Sequence, residues 1–182
     1  IVQKDYGNEF SIAAQVTYIY LLLNDIKETN APRLAAEMPY SKITFNRALS
    51  ELVSRKLLYT EGSATRKMYK TIDRDEMWKK GKEFLFNPVG KVFYATYNLR
   101  QEGLYISGET ALARLGTSLT VPDTFFYATT SEKIKSIDKK RFVNKYDIVT
   151  EDYFVIEQFK YDPGFLSTSH YVDIISLYAQ LK

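Results

Sequence analysis

The spacing of apolar residues changes along this chain of 182 residues. As far as Leu58 the apolar side chains recur with the period of an α-helix, and a short polar hairpin follows. After Asn87, short aromatic and β-branched runs alternate with helical segments, as they do in α/β domains. We therefore expect an α+β protein with a helical N-terminal domain over residues 1–72 and a C-terminal α/β domain over residues 73–182.

The absence of cysteine excludes several kinds of chemistry at once. Without thiolates there is no disulfide, no cysteine-bound zinc, no iron–sulfur cluster and no cysteine nucleophile. His170 is the single histidine, which excludes a multi-histidine metal site and leaves little for Ser/His catalysis. The chain also has neither paired carboxylates at a catalytic spacing nor a phosphate loop. We expect a protein that is not an enzyme, with no catalytic residue, metal or cofactor.

Location is inferred from the same composition. Disulfide-free chains are typical of the cytoplasm, which is where we expect this protein. Its most apolar stretch, Val16 to Leu23, is far shorter than the roughly 20 residues of a membrane-spanning helix. We therefore expect no membrane partner.

Three helices are predicted in the first domain, each preceded by a residue suited to cap it. The capping residues are Ser11, Asn30 and Ser41. In the third helix an apolar stripe recurs at intervals of three and four residues and must face the core. The stripe consists of Phe45, Ala48, Leu49 and Leu52. The opposite face carries the basic and hydrogen-bonding side chains of Lys42, Thr44, Asn46 and Arg47.

Basic charge is concentrated in the first domain. Residues 1–72 contain 10 Lys and Arg against 7 Asp and Glu, whereas residues 73–182 contain 15 of each. Within Ser41–Lys70 the balance is 7 to 2, and a field of this kind suits contact with phosphate groups. Residues 59–69 predict two short strands joined by a polar turn at Gly62-Ser63.

Three helices followed by a basic hairpin are the elements of a winged helix-turn-helix. The segment from Leu34 to Leu52 resembles the second and third helices of MarR-type bacterial transcription regulators. Ala35 and Phe45 match the outer positions of the family's pattern, and Pro39 stands where the family usually has glycine. The resemblance implies a sequence-specific DNA-binding transcriptional regulator, expected to be a repressor.

The exposed start of the third helix is expected to enter the major groove of DNA. Lys42 and Arg47 would contact base edges or phosphates there, since arginine can pair bidentately with guanine. Ser41, Thr44 and Asn46 would be phosphate or base partners. The alternative is that this face is an ordinary solvated helix surface.

Arg66 and Lys67 lie just past the tip of the predicted wing. At that place a side chain can enter the minor groove or lie along the phosphates. The alternative is a charged edge strand that resists aggregation, and the two interpretations are compatible.

The second domain is predicted to alternate helices and strands. Its helices are expected at about 73–86, 107–115, 131–137 and 169–181, and its strands at 91–97, at 123–129 and, as a pair, within 147–161. We interpret Asp73, Asp75 and Glu76 as acids at a helix start rather than ligands for a hard cation. The many aromatic residues are expected to form core rather than base-stacking platforms.

Four stretches of the second part of the chain resemble the C-terminal domain of winged-helix proteins related to AbiE-type antitoxins. They are Gly81–Pro88, Ile106–Leu115, Val121–Thr130 and Val172–Leu181. Those antitoxins repress their own operons and are paired with a nucleotidyltransferase toxin. The expected partners are therefore double-stranded DNA and, because palindromic operators mirror two-fold symmetry, a second copy of the chain. The alternative function is an antitoxin-like interaction module that binds a toxin and autoregulates its operon.

Overall fold

The computed structural model describes residues 5–96, 102–147 and 152–182. The fold is α+β, as predicted, and its contacts divide it into two units, Ile1–Phe86 and Asn87–Lys182. We expected the division at residue 72. The first unit extends further because the helix that follows residue 72 packs against the first helix of the chain, where the Tyr18 hydroxyl donates to the Met77 carbonyl over 3.0 Å.

Helices and a small sheet make up the described part of the first unit. They are α1 (Ile12–Leu23), β1 (Glu28–Thr29), α2 (Ala31–Glu37), α3 (Lys42–Ser54), β2 (Leu58–Glu61), β3 (Met68–Thr71), α4 (Arg74–Gly81) and a 3-10 turn at Lys82–Phe84. The sheet is antiparallel with the order β1-β3-β2. The predicted hairpin is thereby confirmed, whereas β1 was not predicted.

The three predicted capping residues all cap their helices. The side chains of Ser11, Asn30 and Ser41 each accept a hydrogen bond from the backbone N–H three residues further on. These bonds satisfy N–H groups that a helix start otherwise leaves without a partner. The predicted apolar stripe of α3 is also confirmed, since all four of its side chains are at most 1% exposed. The stripe fixes which face of α3 remains outside.

Asp73 begins α4 by capping it. Its Oδ1 accepts hydrogen bonds from the backbone N–H groups of Asp75 and Glu76, which confirms the interpretation of these acids as a helix start. Within the described residues, no group of three or more His, Cys, Asp and Glu side chains could hold a metal ion. None of the described helices has the length and apolar character that crossing a bilayer requires.

The described part of the second unit contains a mixed sheet and three α-helices. The elements are β4 (Val89–Thr96), β5 (Tyr105–Ile106), α5 (Gly108–Arg114), β6 (Phe126–Thr129), α6 (Ser131–Ser136), β7 (Tyr153–Phe159) and α7 (Ile174–Gln180), with 3-10 turns at Lys139–Arg141, Lys145–Asp147 and Pro163–Phe165. The sheet order is β4-β7-β6-β5, in which β6 and β7 run parallel and the other two pairs antiparallel.

Several details of the second unit differ from the sequence prediction. The helix expected at 169–181 begins at Ile174. Residues 147–161 were expected to form two strands, and their described part contains one strand, β7. Residues 148–151 and Tyr97, the predicted end of an earlier strand, lie outside the described residues. β5 is two residues long and was not predicted. The aromatic residues do form core here: Tyr127 meets Phe154 edge to face, with ring centroids 5.3 Å apart.

A polar cluster connects three elements of the second unit. Ser107 directly precedes α5 but makes no capping bond with its side chain; its hydroxyl donates to Glu157 Oε2 of β7 over 2.6 Å. The side-chain amide of Gln180 on α7 donates to the Ser107 hydroxyl oxygen and to Glu157 Oε2, each over 2.9 Å. Burial raises the pKa of the Glu157 carboxyl, and the hydrogen bonds from Ser107 and Gln180 oppose that rise.

This raised pKa predicts a pH dependence of stability. Folded Glu157 binds a proton more readily than unfolded Glu157, so stability increases as the pH falls through the window between the raised pKa and the ordinary value of 4.5. The Glu157→Gln variant lacks this gain. We expect wild type to gain stability relative to Glu157→Gln as the pH falls towards 4.5, measured by hydrogen exchange of the β7 amides. Equal pH dependence in the two proteins would contradict the assignment.

Candidate nucleic-acid interface

The outer face of α3 presents the side chains that the sequence singled out. Lys42, Asn46 and Arg47 are exposed, and neither Lys42 nor Arg47 forms an ion pair with any described residue. Ser41 and Thr44 are engaged with the start of the helix: the Ser41 Oγ caps the Thr44 N–H and lies 3.1 Å from the Thr44 hydroxyl oxygen. Their hydroxyls therefore have less freedom to meet a ligand than the three exposed side chains have.

The predicted hairpin carries two exposed cations beyond its tip. The turn requires glycine at Gly62, where φ is +93° and a Cβ would lie 2.6 Å from the Arg66 carbonyl oxygen. Arg66 and Lys67 are both exposed, and the Lys67 ammonium lies 5.3 Å from the centroid of the Tyr69 ring. A cation at this distance is attracted to the face of the ring, which steadies the lysine without neutralising it.

A groove of about 600 Å³ brings the helix face and the hairpin together. Asn46 of α3 lines it opposite the N-terminal end of α2, and Arg66 and Lys67 line it from the hairpin. Arg47 lies in a neighbouring hollow of about 250 Å³ that Asn46 also lines. The structure thus joins Asn46, Arg66, Lys67 and Arg47 along one continuous surface, whereas Ser41, Lys42 and Thr44 do not line the groove.

Two of the basic residues within Ser41–Lys70 form ion pairs with acids of the same segment. Arg55 is a buried partner of Glu51, with an N–O distance of 3.0 Å and side chains 7% and 2% exposed. Lys70 pairs with Glu61 across the hairpin at 2.6 Å, and this hydrogen bond raises the pKa of Lys70. Because Glu51 and Glu61 are the two acids of that count, these pairs leave the excess of five basic residues over Ser41–Lys70 unchanged.

Two residues of this surface were missed in the sequence. Ile43 is 65% exposed on α3, between Lys42 and Arg47, and its position off the apolar stripe was the available signal. Tyr6, from the segment before α1, lines two hollows that Arg47 also lines. No local pattern around Tyr6 indicated this placement.

The surface is polar and cationic. It offers amide, guanidinium and ammonium donors beside one exposed apolar side chain, the set of groups that contact phosphates and base edges in duplexes. Comparison of the chain with protein-family models, with curated proteins and with solved structures found no match.

Proposed function

We propose that this protein is a sequence-specific DNA-binding transcriptional regulator, acting as a repressor in the cytoplasm, and that its first unit is a winged helix-turn-helix. The observation that carries the proposal is the groove that Asn46 of α3 lines together with Arg66 and Lys67 of the hairpin, two cations that form no ion pair with a described residue. The order α1-β1-α2-α3-β2-β3 supports it, because three helices followed by a hairpin are the elements of a winged helix-turn-helix.

In this proposal α3 is the recognition helix. Its apolar stripe is buried, so the outer face is held in one orientation, as an element that reads base edges must be. Arg47 reads guanine and Asn46 reads adenine in the major groove, the pairings that their donor and acceptor geometry favours. The exposed methyl groups of Ile43 suit contact with a thymine methyl group.

Affinity comes from the phosphate backbone. Lys42 at the start of α3 and Arg66 and Lys67 on the wing neutralise phosphates and release counterions from the duplex. Because an operator is commonly a palindrome, we propose that two copies of the chain bind it as a two-fold dimer.

Separate substitutions test recognition and affinity. Arg47→Ala is expected to weaken binding to the cognate duplex by about tenfold or more, since a bidentate contact is worth about 1–3 kcal/mol. The difference in affinity between cognate and unrelated DNA should therefore become smaller. Arg66→Ala with Lys67→Ala is expected to weaken binding to both duplexes alike. The measurement is fluorescence anisotropy with labelled duplexes tiled across the DNA upstream of the protein's own gene.

Lys79→Ala with Lys80→Ala is the matched control. We call Arg66→Ala with Lys67→Ala the wing variant. Replacing Lys79 and Lys80, two exposed lysines on α4, changes the net charge by the same amount as the wing variant does, but these lysines do not line the groove. We expect their double variant to bind more tightly than the wing variant. If Arg47→Ala and the wing variant both bind as wild type does, DNA recognition does not reside on this surface.

A further inference from the structure

A buried ion pair on α3 fixes the segment that precedes α1. The Arg55 guanidinium pairs with Glu51 and also donates to three main-chain carbonyls, those of Tyr6 and Gly7 over 3.2 Å and that of Glu9 over 2.6 Å. A planar guanidinium with donors directed to several acceptors holds its partners in a defined geometry. Residues 6–9 are therefore attached to α3 through their backbone.

Glu51 attaches the other end of the same segment. Its Oε2 accepts from the Ser11 hydroxyl over 2.6 Å, and its Oε1 accepts from the Ser11 backbone N–H over 3.1 Å. The Arg55 guanidinium also lies 4.4 Å from the centroid of the Phe84 ring and 5.3 Å from that of Phe10. The pair is thus shielded from water on the side of the core, and the segment is anchored at both ends.

This attachment places Tyr6 beside Arg47, the residue proposed to contact a guanine. Tyr6 lines one hollow with Ile43, Asn46 and Arg47, and a second hollow with Thr44 and Arg47. Its ring is half-buried, so one part packs on the protein and another faces outward. A tyrosine in this position offers an apolar ring to a sugar or base and a hydroxyl to a phosphate or base acceptor.

We propose that Tyr6 contacts the DNA duplex beside Arg47 and determines specificity, and that Arg55 and Glu51 are its positioning residues. This inference rests on the proposed function, since the duplex is the same one that α3 reads. It adds a segment outside the three helices and the wing to the interface.

Tyr6→Ala and Tyr6→Phe test the contact directly. With the labelled upstream duplexes, Tyr6→Ala is expected to weaken cognate binding about tenfold, with a smaller change on unrelated DNA, because a hydrogen bond to a charged acceptor and a ring contact are lost together. Tyr6→Phe is expected to lose part of that affinity. The fluorescence of Trp78, the single tryptophan, checks that the first unit of each variant is folded.

Arg55→Lys tests the positioning role. Lysine keeps the charge beside Glu51 but has no planar fork for the carbonyls of Tyr6, Gly7 and Glu9. We expect this variant to weaken cognate binding as Tyr6→Ala does, and the double variant to bind no worse than Tyr6→Ala. If Arg55→Lys does not fold, the two Tyr6 variants alone decide.

The outcomes separate this inference from the proposed function. Cognate binding by Tyr6→Ala equal to that of wild type, with Arg47→Ala weakened, overturns the role of Tyr6 and leaves the proposed function standing. Failure of wild type to bind any upstream duplex overturns both. Equal weakening of Tyr6→Ala on cognate and unrelated duplexes overturns the specificity role.

Discussion

Arg55→Met is expected to destabilise the first unit by about 3–5 kcal/mol, because it leaves the Glu51 carboxylate buried without its counter-charge. The Glu51 side chain is only 2% exposed, so water cannot replace the lost guanidinium. The three carbonyls of residues 6–9 lose their donor in the same substitution. Guanidinium denaturation followed by Trp78 fluorescence measures the change, since Trp78 lies in the first unit.

A second ion pair in the same unit provides the control. Lys80 pairs with Glu76 at the same spacing of four residues, with side chains 54% and 60% exposed. Lys80→Met is expected to cost roughly 0.5 kcal/mol or less, because solvent screens an exposed pair. Similar losses for Arg55→Met and Lys80→Met would show that burial of the Arg55 pair has no energetic consequence.

Gly81→Ala is expected to destabilise the first unit by about 3 kcal/mol, although alanine is ordinarily better than glycine in a helix by about 1 kcal/mol. A Cβ at residue 81 would lie 2.5 Å from the Tyr18 hydroxyl oxygen and nearer still to two ring carbons. The Tyr18 ring is completely buried, and its hydroxyl is bonded to Met77, so it has no open space to enter.

Shortening the residue at position 18 should relieve the overlap. We expect Tyr18→Leu with Gly81→Ala to be more stable than the sum of the two single effects implies, which is the coupling that a shared contact produces. The same Trp78 denaturation experiment serves for all three variants. A rise in stability for Gly81→Ala alone would contradict the packing of α4 on α1.

Local signals were sufficient for the helices of the first unit. A capping serine followed by an apolar stripe, as at Ser41 and Phe45, fixes both the start of α3 and its buried face. β1 could not be found in this way, because two residues are too few for a periodic pattern and it exists only through pairing with β3. The extension of the first unit to Phe86 has a similar cause: Gln15 and Phe86 hydrogen-bond to each other across 71 positions, and no local pattern records that.

Some residues of the candidate site could likewise be predicted from local patterns, and others could not. The side chains on the outer face of α3 could be predicted from helical spacing, and those past the tip of the hairpin from the turn at Gly62. Arg55 was counted with the surface cations, since its burial depends on a carboxylate four residues away and on carbonyls more than 45 positions earlier. The hydrogen bonds from Arg55 to those carbonyls hold Tyr6 at this surface, so its position could be known only from the fold.

The salt dependence of DNA binding tests the central claim most directly, namely that the cations on α3 and the wing hold a duplex by its phosphates. If Lys42, Arg66 and Lys67 meet phosphates while Arg47 reads a base, a plot of log affinity against log salt concentration should have a slope of about −3 for each copy of the chain. Arg66→Ala with Lys67→Ala should make that slope shallower by about 2. Wild-type affinity that does not change with salt, or a slope that the wing variant leaves unaltered, would contradict the account.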